Sequence, residues 1–205
     1  MTKNAESPTG SRKFPGGIPQ CTAEQYEQEF RDRHLIHGVV AKWARERPDA
    51  PAIINADRKQ TVSWANFEES TTALALQLLR LGFRRGDFFA TSLPLLTEHL
   101  FLEYACFKIG VILAPLDLRL APAEVIRSLG LIRPRGYAFL GATPAVDFRE
   151  LGRAVRKACP FIEHLFQFGP PEETIEGAVS FATVGEEARR IISGAAGEKL
   201  RTDLL

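Results

Sequence analysis

Residues Leu81 to Asp117 read LGFRRGDFFATSLPLLTEHLFLEYACFKIGVILAPLD. Three changes of pattern within this stretch decide the fold. A helix stops at Gly82, and Gly86-Asp87 makes a tight turn that calls for the positive φ glycine tolerates. Asp87 to Leu93 then reads as a strand, Leu96 to Ile109 as a helix carrying Leu100, Tyr104 and Phe107 on one side, and Val111 to Pro115 as a short apolar strand. Gly110 lets that helix end abruptly, and Pro115, with no N–H, closes the strand. A strand, a helix and a second strand joined in this way form a βαβ unit.

The same alternation extends in both directions. Upstream, a helix is predicted from about Thr22 or His34 to Arg47, with Leu35, Val39, Val40 and Trp43 on one face and Pro48 as its stop. Ala52 to Asn55 and Gln60 to Ser63, either side of polar Ala56 to Lys59, read as a hairpin. Ser63 is placed as N-cap of a long helix whose stripe is Phe67, Thr71, Leu74, Leu78 and Leu81. Downstream come a helix over Pro122 to Leu131 with proline in its first turn, a strand over Gly136 to Leu140, a helix over Phe148 to Ala158 and a strand over His164 to Phe168. Past Pro170-Pro171 and Glu172-Glu173 the pattern weakens, leaving one further amphipathic helix over Phe181 to Ile192. The fold class predicted is α/β, a mostly parallel sheet with helices on both faces. The divisions expected are an irregular arm over 1–21, a subdomain over 22–169, and a loop, helix and tail over 170–205.

Composition narrows the function. The chain has 205 residues, 45% hydrophobic and 25% charged, with a net charge of +1, so no electrostatic case exists for nucleic acid or an anionic membrane. No segment reads as a signal peptide or a transmembrane span. The three cysteines, Cys21, Cys106 and Cys159, are too scattered for a disulfide framework or a zinc site, and a reducing, cytoplasmic setting is expected. Cys106 reads as a buried small side chain.

Candidate chemistry is sparse. Pro94-Leu95-Leu96 after the first good strand has no glycine, which excludes a dinucleotide fingerprint. Gly194-Ala195-Ala196-Gly197-Glu198-Lys199 lacks both the spacing and the Ser/Thr of a Walker loop and reads as a polar tail. His34 and His37 lie three apart without acidic or thiol company and read as surface or helix-start residues. His99 beside Glu98 reads as solvent-exposed. Lys108, alone in an apolar segment, reads as equally compatible with solvation. No nucleophile–histidine constellation is present.

In order and spacing, these segments resemble the N-terminal subdomain of the adenylate-forming superfamily: acyl-CoA synthetases, aryl-acid ligases, luciferases and peptide-synthetase adenylation domains. Trp43 to Ile53 resembles its opening helix and strand, and Val62 to Phe67 its first core motif, with Asn66 in place of the usual Glu. Gly86-Asp87 with Leu93-Pro94 resembles its Gly-Asp strand, with Leu95 in place of Asn. Phe107 to Asp117 resembles its second core motif, and Leu118 to Leu129 the next helix, with Glu124 at the acidic position. The resemblance spans roughly Leu35 to Phe168.

The resemblance implies a ligase that activates a carboxylic acid as an acyl-adenylate and passes it to a thiol, with ATP, Mg and CoA serving the full-length enzyme. The loop closing in Pro-Lys-Gly that wraps the ATP phosphates in the family is absent from these 205 residues. So the expectation is the N-terminal part of such a ligase, inactive alone, with no catalytic, cofactor-binding or metal-binding residue in the chain and none of these cofactors bound tightly. Its partner would be the missing second subdomain, or a second copy, meeting an exposed apolar face. The alternative is a non-catalytic, stand-alone binding or interaction module that reuses the subdomain.

Overall fold

The computed structural model describes residues 22–29 and 35–192. The expected arm over 1–21, His34, and the tail with Gly194 to Lys199 lie outside the described residues.

The predicted first helix is two. α1 spans Ala23–Glu29 and α2 spans Ile36–Glu46. A reciprocal pair caps α1: the Gln25 N–H donates to Thr22 Oγ1 and the Thr22 N–H to Gln25 Oε1. On α2 the expected face divides. Val40 is buried, whereas Leu35, Ile36 and Val39 are each about half exposed.

β1 (Pro51–Asn55) and β2 (Gln60–Ser63) form the expected antiparallel hairpin. α3 (Trp64–Arg80) begins where Ser63 Oγ accepts the Asn66 N–H at 3.3 Å. Its stripe is buried as expected through Leu78, with Leu81 partly covered, but Ala73, Ala75, Leu76 and Gln77 are buried too. The extra burial follows from its neighbours, because α3 packs against helices on more than one side.

β3 (Phe88–Ser92), α4 (Thr97–Lys108) and β4 (Ile112–Pro115) make the βαβ unit. α5 (Pro122–Ile132), β5 (Gly136–Leu140), α6 (Arg149–Ala158) and β6 (His164–Phe168) repeat the pattern. After a 3-10 turn at Pro171–Glu173, a two-residue strand, β7 (Val179–Ser180), leads into α7 (Phe181–Ile192). The sequence reading anticipated α7 and not β7, since two residues carry no period.

The five strands are parallel, in the order β4-β3-β5-β6-β7. Strand alternation sorts side chains to the two faces. Phe89, Ala138, Phe166 and Phe168 pack with α3, α4 and α7, while Ala90, Tyr137, Phe139 and Leu165 pack with α5 and α6. A third cluster around Val40, Val62 and Phe67 ties α2 and the hairpin to α3 and α4.

Because β3 is followed by β4 on one side and β5 lies on the other, the direction in which strands are added across the sheet reverses between β3 and β5. In open α/β sheets the crevice outside the carboxyl ends of the strands at such a reversal is where ligands bind. The fold therefore directs attention to the segments after Ser92, Leu140 and Phe168.

Candidate functional site

The glycine turns that stood out in the sequence, at Gly82, Gly86-Asp87 and Gly110, assemble at the opposite, amino end of the sheet. Gly82 (φ +93°) and Gly110 (φ +69°) each end a helix in the left-handed region. Phe83 N–H reaches Leu78 O at 3.0 Å and Val111 N–H reaches Cys106 O at 3.0 Å, so both ends close in the same six-to-one bond. Gly86 (φ +90°) then donates to Gly110 O at 2.9 Å, and Ile112 donates to Asp87 O at 2.8 Å. Two motifs separated by a whole helix are thus bonded to each other.

Asp87 also accepts the Arg84 N–H at 2.8 Å and Arg135 Nη1 at 2.9 Å. Arg135 reaches Gly82 O with the same nitrogen and Glu163 with Nε at 3.1 Å. Every group in this cluster serves connections between elements. It is a structural floor.

Two sequence readings are corrected here. His99, expected in solvent, is 8% exposed. It lies on the sheet-facing stripe of α4 with Leu102 and Cys106, and its Nδ1 bonds Pro94 O at 3.0 Å. A carbonyl only accepts, so Nδ1 carries the proton, and Nε2 is buried without a partner. Lys108 is not solvated. Its ammonium sits 2.6 Å from Glu68 Oε1, with 8% of its side chain exposed against 27% for Glu68. His37 lies near this pair, and its pKa is lowered, chiefly by burial and then by the Lys108 charge, with Glu68 opposing. Cys106 is fully buried and its thiol pKa is pushed up by desolvation.

At the carboxyl ends of the strands two features gather. On the α5/α6 side, Arg119 grips Asp117 with Nε at 3.0 and 3.1 Å, and Arg149 grips Asp147 with Nε at 2.9 and 3.0 Å. Hydrogen bonds from the arginines hold both carboxyls down to about 2. These carboxylates are occupied by their own neighbours.

On the other side lies a cavity of about 470 Å³. Leu140 and Phe168, the last residues of β5 and β6, form its base, and Phe101 of α4 and Leu74 of α3 form its sides. α7 closes it. Phe181 stacks on Phe168 with ring centroids 4.0 Å apart, and Glu187 accepts from Gln77 Nε2 at 2.6 Å. The room exists because the facing positions are small: Ser70 and Ala73 on α3, Ala182, Gly185 and Ala188 on α7. At the mouth, Arg58 from the hairpin turn meets Glu98 of α4 at 2.7 Å. The sequence showed Arg58 only as a turn residue and Glu98 only as a helix-start acid. Nothing in a local pattern says that positions forty apart will meet.

The described residues do not fit the nucleotide and metal that the family resemblance implies. None of the segments after β3, β5 or β6 is a glycine-rich phosphate cradle. No group of three or more His, Cys, Asp or Glu side chains gathers among the described residues in a way that could hold a metal. No described helix is long and apolar enough to cross a membrane.

Comparison with known proteins fits this arrangement. The family model described as AMP-binding enzyme matches residues 40–158. The chain is 30% identical over 83 residues to a propionate–CoA ligase of Salmonella typhimurium, covering 38% of this chain and 13% of that protein. It is 31% identical over 100 residues to malpibaldin synthetase of Mortierella alpina, covering 49% of this chain and 2% of that one. Among solved structures, an anthranilate CoA ligase in complex with anthranoyl-AMP superposes with a TM-score of 0.64 at 19% identity, over 73% of this chain and 27% of the other. MbtA of Mycobacterium smegmatis superposes with a TM-score of 0.63 at 23% identity, over 80% and 29%. These two likenesses show the fold alone, and in each case the chain spans less than a third of the solved protein. The cysteine-poor, parallel five-stranded sheet, its Gly-Asp floor and the match over residues 40–158 lead to one conclusion: the chain belongs to the AMP-binding enzyme family of adenylate-forming ligases and corresponds to their N-terminal subdomain.

Proposed function

We propose that this chain serves as the N-terminal scaffold of an AMP-forming acyl- or aryl-acid–CoA ligase and does not turn over by itself. Two observations carry the reading. Gly86-Asp87 and Gly110, within the motifs that resemble the family's, are spent on floor contacts at the amino ends of the strands, and the tripeptide Pro-Lys-Gly occurs nowhere in the sequence. Without a phosphate loop and a metal, the charge developing on pyrophosphate has no partner. The part supplied by this chain is a rigid sheet and a surface for a second subdomain. Leu35 just before α2, Ile36 and Val39 on it, Ile54 on the hairpin and Leu95 after β3 are exposed apolar side chains suited to that contact.

ATP–pyrophosphate exchange tests the proposal. The purified chain, offered ATP, Mg and a panel of acyl and aryl acids, should show no acid-dependent exchange; robust exchange with any acid would sink it. A second reading, a stand-alone binding module, has one observation in its favour: a cavity lined by this chain's own elements. A monodisperse monomer that binds a small molecule and lacks exchange would favour it.

A further inference from the structure

We infer that α7 is a lid: it swings away from the folded chain on the short strand β7 and uncovers the ends of β5 and β6. The inference stands on how α7 is seated and holds under either reading above. Of its residues from Phe181 to Arg190, Phe181, Val184 and Ala188 alone are buried. On the same side of the sheet, α4 seats Leu102, Ala105 and Cys106 with no exposure at all. The positions of α7 and α3 that line the cavity are small, Ala182, Gly185 and Ala188 facing Ser70 and Ala73. A helix that borders a cavity of about 470 Å³ forgoes dispersion contacts that a fully packed helix makes.

Two contacts latch α7. Phe181 stacks on Phe168 with ring centroids 4.0 Å apart, and the buried Gln77 donates Nε2–H to Glu187 at 2.6 Å. Opening breaks both, but it also relieves a cost. Gln77 Oε1 and, at the hinge, Ser180 Oγ are buried without partners while α7 is closed. Water reaches them once α7 opens, and this offsets part of the loss. The hinge is slight: β7 has two residues, in register with Phe166 and Gln167 at the edge of the sheet. An element held by few buried contacts opens well below the free energy of global unfolding. Its place gives the motion a use. The ends of β5 and β6 lie beside the reversal in strand order, where folds of this kind admit ligands, and α7 governs access there.

Thiol labelling reads the opening. Ala73 is 1% exposed and lines the cavity, so Ala73→Cys places a test thiol beneath α7 with room for its sulfur. Cys106, fully buried beneath α4, is the internal reference. With fluorescein maleimide, read peptide by peptide, Ala73→Cys should react about a hundredfold or more faster than Cys106. Adding Glu187→Ala, which removes the latch, should speed that reaction by about tenfold. Adding Gly152→Ala instead crowds the opposite face of the sheet. It should speed Cys106 by about tenfold and leave Ala73→Cys within about twofold, because a lid opens without disturbing that face. In the unsubstituted chain, amides of α7 should exchange with deuterium about a hundredfold faster than those of α4. Equal rates at the two thiols, or between the two helices, overturn the inference. So does an Ala73→Cys rate that rises with Gly152→Ala as Cys106 does, since the cavity then opens only with the whole chain. A fast rate indifferent to Glu187→Ala overturns it as well, since the reagent then enters with α7 closed. None of these results bears on pyrophosphate exchange, so the scaffold reading fails or survives separately.

Discussion

Replacing Lys108 by methionine removes one partner of the ion pair between α3 and α4 and leaves the other in place. The ammonium lies 2.6 Å from Glu68 Oε1, and only 8% of the lysine side chain is exposed. Glu68 has one further bond, from Thr72 Oγ1 at 3.3 Å, and its Oε2 is buried without a partner. Breaking a buried pair by deleting one charge costs about 3–5 kcal/mol. Because Glu68 retains 27% exposure, water recovers part of this, and Lys108→Met should cost about 2–3 kcal/mol. For a domain of this size that lowers the melting temperature by roughly 4–12 °C. The double variant Glu68→Met/Lys108→Met buries no charge and should recover most of the loss, giving a coupling energy of about 2 kcal/mol. Urea melts of the four proteins measure the cycle. NMR supplies a second reading: the His37 pKa, held down in part by the Lys108 charge, should rise in Lys108→Met. If the single variant melts within about 0.5 kcal/mol of the parent, or the double is as damaged as the sum of the singles, the pair is not the buried contact described.

Gly152→Ala should destabilise by about 1–3 kcal/mol, because its Cβ would stand 2.3 Å from Phe139 Cζ and 2.9 Å from Ile175 Cδ1, in a fully buried core. Gly130→Ala, exposed on α5 with nothing within 4 Å of the added Cβ, should instead stabilise by about 0.5–1 kcal/mol; denaturant midpoints of the two variants should move in opposite directions. His37 has its folded pKa below the unfolded 6.5, so the unfolded chain binds the proton more readily. Its contribution to stability is full above pH 6.5 and declines as the pH falls below that value, and His37→Gln should flatten this part of a melting-temperature–pH profile. Tyr137 is fully buried and donates to Ser92 Oγ at 2.8 Å, and burial pushes its phenol up to about 12, so ultraviolet titration should leave at least this tyrosine largely un-ionised at pH 11 until the chain unfolds.

Much of the fold was legible along the chain. The hairpin, the Ser63 cap, α3 through α7 and the four long strands of the sheet fall where periodicity and glycine–proline punctuation put them, because each is decided by neighbours within a few residues. The sequence reading left the start of the first helix open between Thr22 and His34, because apolar spacing alone does not separate α1 from α2. β7 escaped notice because its place comes from pairing with Phe166 and Gln167. Readings of exposure were the weakest. Leu35 and Val39 follow a buried helical spacing yet stand half exposed, while His99 and Lys108 look polar yet are enclosed.

By itself the sequence determined the alternation of elements, the glycine turns at Gly82, Gly86 and Gly110, and hence the family, since all of these rest on local backbone conformation and on the order of motifs. Only the tertiary structure decided strand order, the bond between Gly86 and Gly110, the Glu68–Lys108 pair, and the cavity where Arg58, Glu98, Phe168 and Phe181 meet. The physical reason is distance along the chain. A contact between residues tens of positions apart depends on how helices pack on a sheet, and no local pattern records which side chains that packing brings together.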